Sequence, residues 1–267
     1  MSYPINYPTP QGANVQIFRG GDAATTAHIY TREWVKPQGA SFVWFTLIGA
    51  GGGGGSGYDG GPGNQQAGGG GASSNVTNFM CPAFLIPDVL QVAIAKGGLG
   101  GVYPGFSTPG TNGTNGEATK IFYQQKDGTG YQILIASGGN EGLGAPDPST
   151  PGSGGSANGA ETGGQMTAAG FYNSTGGMNG ASGTNDISAS GTTFLFGGSG
   201  WSNGNAVTGY YGYTASNRGG YSQIQPIMQS ISGGTAKSPF GAGGNGGSIG
   251  AFSGSNGGDG LAIIVTW

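Results

Sequence analysis

Gly241 to Gly260 reads GAGGNGGSIGAFSGSNGGDG, and Leu261 to Trp267, which follows directly, reads LAIIVTW. Glycine falls at 241, 244, 247 and 250 and, after one extra residue, at 254, 257 and 260. A period of three is neither the 3.6 of an α-helix nor the 2 of a strand. It is the period of a polyproline-II-type helix, which rises about 3.1 Å per residue and makes no hydrogen bonds within itself. The extra residue at Gly250–Gly254 breaks the register, which predicts a turn at Phe252 between two short helices. The apolar, β-branched run that follows is that of a strand buried on both faces.

The same sentence recurs along the chain. Glycine-rich blocks occupy 49–71, 97–116, 137–192, 197–220 and 232–260, and several hold local threes, as at Gly110, Gly113, Gly116 and at Gly177, Gly180, Gly183. Strand signals lie between them, at 15–18, 28–35, 41–48, 74–79, 89–95, 118–124, 131–136, 193–196 and 222–231, with Lys126–Gly130 as a hairpin connection. Leu, Glu, Lys and Arg are sparse and show no sustained 3.6 period, so no helix is expected. The resulting expectation is an all-β fold over 15–267, in which the glycine blocks form a bundle of short threefold helices between the strands.

Composition supports order. Glycine makes up 64 of 267 residues, against a usual frequency of about 7%. Ordering glycine is costly in backbone entropy, so a compensating network of backbone hydrogen bonds is required. Charged residues are only 7% and aromatics 10%, which is not the pattern of a disordered chain or a flexible linker. With register breaks between blocks and only 14 prolines, a collagen triple helix is not expected.

The residues 34–50, Trp-Val-Lys-Pro-Gln-Gly-Ala-Ser-Phe-Val-Trp-Phe-Thr-Leu-Ile-Gly-Ala, lead into five consecutive glycines. With Gly68–Ala72 before one strand and Gly257-Gly258-Asp259-Gly260 before the terminal one, this order of features resembles the glycine-rich domain of bacteriophage tail and fibre proteins. The resemblance covers about 30–267. It implies a β-sandwich framework, jelly-roll-like, from which polyglycine-II helices project, placed on the virion surface as a fibre, tail-tip or head-decoration subunit with host attachment as its task. It further implies other virion proteins as partners, a homo-oligomer with a trimer as one guess, and a host glycan or outer-membrane protein as ligand. Animal receptor domains of similar sandwich carry several cysteines; this chain has one, Cys81. There is neither heptad repeat nor shaft, so a compact tip, knob or surface-decoration protein, or a fibre too short to need a shaft, is expected.

Chemistry finds little footing. His28 is the only histidine and sits in a strand-like segment, which disfavours a Ser-His-Asp triad. The eleven carboxylates are isolated in sequence, mostly beside turns; only the fold could assemble a glycosidase pair. Gly-x-Gly-x-x-Gly matches arise by chance here, Ala236-Lys237-Ser238 lacks the glycine of a phosphate loop, and Gly257–Gly260 does not reproduce a calcium repeat. No catalysis, cofactor or metal is expected. Scattered Lys and Arg give no nucleic-acid footprint, and no apolar run approaches a membrane span.

Contact candidates are aromatic. Trp201, Tyr210, Tyr211 and Tyr213 stand amid Asn and Ser, and Phe171 and Tyr172 form a second cluster. Such rings either clamp the glycine lattice or form an adaptable contact surface. Residues 1–14 hold Tyr3, Pro4, Tyr7 and Pro8, either a frayed terminus or an extended arm that anchors the protein to the virion. The rival readings are a particle-stabilising protein without ligand, a polysaccharide-degrading virion enzyme, and an ice-binding or matrix protein.

Overall fold

The computed structural model describes residues 12–19, 29–61, 64–124, 130–161, 170–177, 179–180, 182–183, 240–241, 243–244, 246–247 and 253–267. Two antiparallel sheets face each other. The first orders its strands β1 (Asn14–Arg19), β11 (Leu261–Thr266), β3 (Phe42–Ile48), β6 (Val76–Pro82) and β10 (Phe171–Thr175); the second orders β2 (Ile29–Val35), β7 (Val89–Ala95), β8 (Thr119–Gln124) and β9 (Gly130–Ala136). A two-stranded ribbon, β4 (Tyr58–Asp59) with β5 (Gln65–Gln66), stands apart, and the only helical element among the described residues is a 3-10 turn at Ala83–Leu85. The architecture is all-β and sandwich-like, as expected.

Alternation builds the core. Val43, Phe45 and Leu47 of β3 point between the sheets and are fully buried, together with Trp34, Phe79, Leu90, Val92 and Ile121. All six residues of β11 are buried. Ala262 and Ile264 face the inter-sheet core, whereas Leu261, Ile263 and Val265 join Ile48 and Val76 in a second cluster on the outer face of the first sheet. This strand, buried on both faces, is what the terminal apolar run predicted.

Every described glycine segment enters or leaves the same end of the sandwich. Residues 49, 96 and 137 follow the ends of β3, β7 and β9, while 75, 118 and 260 precede β6, β8 and β11. The expected strand at 74–79 therefore starts two residues later, because Ser74 and Asn75 still bond as lattice residues, to Gly241 and Ser137. Phe171-Tyr172-Asn173, read as a contact cluster, is part of edge strand β10. The expected strands at 193–196 and 222–231, the 197–220 block and the Lys126–Gly128 stretch lie outside the described residues.

Candidate contact surface

The lattice sets the geometry of the site. Each residue from 50 to 56 both donates and accepts one backbone hydrogen bond, and none of these bonds lies within the segment. Donors repeat in threes: Gly49, Gly52 and Gly55 reach the carbonyls of Asn75, Ala72 and Gly69; Ala50, Gly53 and Ser56 reach Glu117, Thr114 and Thr111; Gly51 and Gly54 reach Gly258 and Ser255, all at 2.8–3.1 Å. The carbonyls receive from Gly139, Gly142 and Ala145, from Gly98 and Gly101, and from Gly244 and Gly247. Falling partner numbers mark the first three neighbours as antiparallel, and rising numbers mark the second three as parallel. Segment 49–57 thus has six neighbours, the coordination of hexagonally packed threefold helices.

The ring around it closes. Segment 67–75 bonds to 137–145 and to Gly241–Gly247; 110–117 bonds to 137–145 and to 96–99; 254–260 bonds to 98–101, and Gly241 reaches Asp259. An outer layer adds 152–158, and Gly177, Gly180 and Gly183 bond to Asn158, Gly155 and Gly152 in turn. Gly241–Gly247 and Gly254–Gly260 run in opposite directions, so the broken register does mark a reversal; Phe252 itself lies outside the described residues. Glycine is required because a Cβ on Gly52, Gly53 or Gly71 would stand under 3.0 Å from a neighbouring carbonyl oxygen. At the rim, side chains replace the missing neighbour. Asn112 accepts from the Gly144 N–H at 3.0 Å, Asn256 from Gly100 at 2.8 Å and Asn179 from Ala157 at 2.7 Å.

Since the segments run out and back in pairs, their connections meet at the far end. Three lie among the described residues: 58–66 apart from 62 and 63, 102–109 and 146–151. Asp59 ties two of them together. Its carboxylate accepts from the Gly61 N–H (3.1 Å), the Gln65 amide (2.9 Å) and the Tyr103 hydroxyl (3.2 Å), and its carbonyl accepts from the Ser107 N–H at 2.6 Å. The Gln65 hydrogen bond, with those from Gly61 and Tyr103, holds this carboxyl below its ordinary pKa despite partial burial. Burial and the Asp59 bond and charge push the Tyr103 phenol up. The Gln66 amide donates to the Pro148 carbonyl at 2.9 Å, which fastens the third connection. There Asp147, lowered by the Ser149 hydroxyl and N–H, makes its own tight turn.

This end presents apolar side chains to solvent on a fixed backbone. Val102 is 71% exposed and Phe106 65%, and Leu99, three residues before Val102 and so on the same face of its helix, is 48% exposed. Ser107, at φ 54°, is the only non-glycine residue with positive φ among those described, and Gly105 beside it sits at 119°. The strain is held by the Asp59–Ser107 bond and by the Thr111 hydroxyl on the Val102 carbonyl at 2.7 Å. Backbone strain that the surroundings over-determine is common where a protein meets its ligand.

The match to known families concerns almost all of this architecture: the model of the glycine-rich domain covers residues 25–267. The chain belongs to the glycine-rich domain family. No curated protein matches the chain significantly.

Within this glycine-rich domain the sequence-derived candidates are dispersed. Phe171 pairs with Met80 at the end of the sandwich opposite the lattice and is 63% exposed. Tyr172 packs on the core and its hydroxyl donates to the Glu161 carbonyl at 3.2 Å, a framework role. Glu161 belongs to the same knot, bonded to Ser137, Ser174 and Asn75. Tyr3, Pro4, Tyr7, Pro8, Trp201, Tyr210, Tyr211 and Tyr213 lie outside the described residues, as does His28. Residues Tyr58, Asp59, Val102, Tyr103 and Phe106 were missed. The signal for the last three was Gly-Val-Tyr-Pro-Gly-Phe at 101–106, large side chains interrupting a block in which side chains are otherwise small.

Reactive chemistry is thin among the described residues. No three of His, Cys, Asp and Glu gather as metal ligands, and no helix is long and apolar enough to cross a membrane. Burial pushes the Cys81 thiol up to about 11, which leaves it protonated and unreactive at neutral pH.

Proposed function

We propose that this protein is a surface component of a bacteriophage particle, a fibre, tail-tip or head-decoration subunit, that holds a rigid tip out toward the host and attaches there. The observation that carries the reading is polarity. A bundle bonded laterally along its length springs from one end of a sandwich and ends in connections that expose Val102 and Phe106 on a strained, pinned loop. A scaffold of this kind costs little entropy when its tip binds, because the tip is already ordered. Membership of the glycine-rich family agrees with the reading at the level of the domain. In it, residues 1–14 join the protein to other virion proteins, and a host glycan or outer-membrane protein meets the tip. Catalysis plays no part.

The test is adsorption. Particles carrying Val102→Ser with Phe106→Ser are expected to adsorb to host cells about tenfold more slowly while incorporating the protein normally. A parallel set with alanine at Tyr210, Tyr211 and Tyr213 tests the aromatic patch read from the sequence. Unchanged adsorption in both sets would favour a protein that only stabilises the particle.

A further inference from the structure

Asparagine is a chemically labile side chain. It is most exposed to loss of its amide directly before glycine, where no Cβ hinders attack by the next peptide nitrogen. The sequence holds seven Asn-Gly dipeptides. Five lie wholly among the described residues, at 112–113, 115–116, 158–159, 179–180 and 256–257. Four of these are locked twice. Their glycine N–H groups are used by the lattice: Gly113 donates to the Gly142 carbonyl, Gly116 to Gly139, Gly180 to Gly155 and Gly257 to Gly98, at 2.8–3.0 Å. The Oδ1 atoms of Asn112, Asn115, Asn179 and Asn256 accept from the N–H groups of Gly144, Glu141, Ala157 and Gly100 in turn, at 2.7–3.0 Å. The same glycines back onto the carbonyls of Gly53, Ala50, Gly70 and Gly51, which leave the peptide little room to rotate.

The fifth dipeptide differs. Asn158 is held through its amide nitrogen, which donates to the Gly138 carbonyl at 2.7 Å. Gly159 is exposed, its N–H has no hydrogen-bond partner among the described residues, and nothing lies within 4 Å of a Cβ there.

We propose that Asn158 is, of these five, the one that deamidates in the folded protein. Solvent hydroxide takes the Gly159 N–H proton, and the nitrogen bonds to Cγ of Asn158. The Cγ–Nδ2 bond breaks, and Nδ2 leaves as ammonia with a proton from water. One water then opens the succinimide. Cleavage at Cγ leaves aspartate; cleavage at the main-chain carbonyl leaves isoaspartate, with the chain routed through Cγ. The site borders a junction. The donor to Gly138 becomes a carboxylate oxygen facing a carbonyl, which loses the hydrogen bond. Beside it, the Gly159 carbonyl accepts from buried Asn75 at 2.6 Å, and the Glu161 N–H donates to Ser174 of β10 at 3.0 Å. Deamidation therefore loosens the tie between the outer layer of the lattice and edge strand β10.

The experiment is peptide mapping by mass spectrometry of the full-length protein held at mildly alkaline pH. The folded chain is expected to convert Asn158 to aspartate and isoaspartate about tenfold faster than any of the other four, because there the attacking nitrogen needs no lattice bond to open. In concentrated urea all five should convert at similar rates. Gly159→Ala is expected to slow conversion at Asn158 severalfold while leaving the fold intact, since its Cβ meets nothing. Conversion at Asn158 no faster than at Asn112, Asn115, Asn179 and Asn256 in the folded protein would overturn the proposal. So would the same order of rates in urea, since the dipeptides alone would then set the difference.

Discussion

In the sandwich, Trp34, Phe45 and Phe79 are fully buried; Trp34 meets Phe45 edge-on at 5.9 Å and Phe45 stacks on Phe79 at 6.4 Å. In the lattice, residues 50–56 carry nothing larger than the hydroxymethyl of Ser56, and every one of them spends both backbone groups on a neighbouring segment. One region is held by side chains removed from water, the other by backbone groups that would otherwise be buried unpaired. The two should therefore fail in opposite ways. The sandwich is weakened by taking atoms out, and the lattice by putting atoms in.

The largest effect should come from Trp34→Ala, a loss of about 3–5 kcal/mol in denaturant unfolding, because it empties the centre of the core. Gly52→Ala should follow, at about 1–3 kcal/mol, since the added Cβ meets the Asn140 and Gly139 carbonyls rather than a yielding side chain. Gly159→Ala is the control. Nothing lies within 4 Å of a Cβ there, so its stability should stay within about 1 kcal/mol of the parent. If Gly52→Ala proved as mild as Gly159→Ala, the contrast between the two regions would collapse.

Rim capping sharpens the comparison. Asn112→Ala removes the acceptor of the buried Gly144 N–H and should cost about 1 kcal/mol, whereas Asn112→Asp, which keeps the acceptor, should cost less. This is the lattice counterpart of protecting the edge of a β-sheet. Side-chain oxygens at positions such as Asn112, Asn179 and Asn256 occupy donors that would otherwise be open to an added strand or helix.

The smallest effect concerns the tip and pH. Asp59 has a folded pKa below its unfolded one, so its contribution to stability is present at neutral pH and is lost as pH falls through the folded value. The stability difference between the parent and Asp59→Asn should therefore be greatest near neutral pH and shrink below the ordinary carboxylate range. A difference independent of pH would mean that the Asp59 charge does nothing for the connections it joins.

Several elements were legible in the residues. The β-branched run at 261–266 announced a strand buried on both faces, and the alternation in β3 announced which side chains enter the core. Glycine at 110, 113 and 116 announced a threefold helix with a lateral partner, since only a Cβ-free position lets a carbonyl approach so closely. Phe171 was legible as an aromatic beside polar residues, but its place on edge strand β10 came only from the pairing with Met80. The contact of Tyr103 with Asp59 was silent, the two being separated by two lattice segments and a pair of strands.

The sequence by itself determined the two periods, two for the framework and three for the lattice, because each is a local consequence of where a side chain can or cannot be tolerated. Tertiary structure alone decided that 49–57 occupies the centre of a six-membered ring and that 58–66 and 102–109 meet at Asp59. Those outcomes depend on which backbone carbonyl accepts from which N–H across distant segments. Backbone groups are nearly the same in every residue, so the partners are fixed by the order in which the strands pair and the segments return.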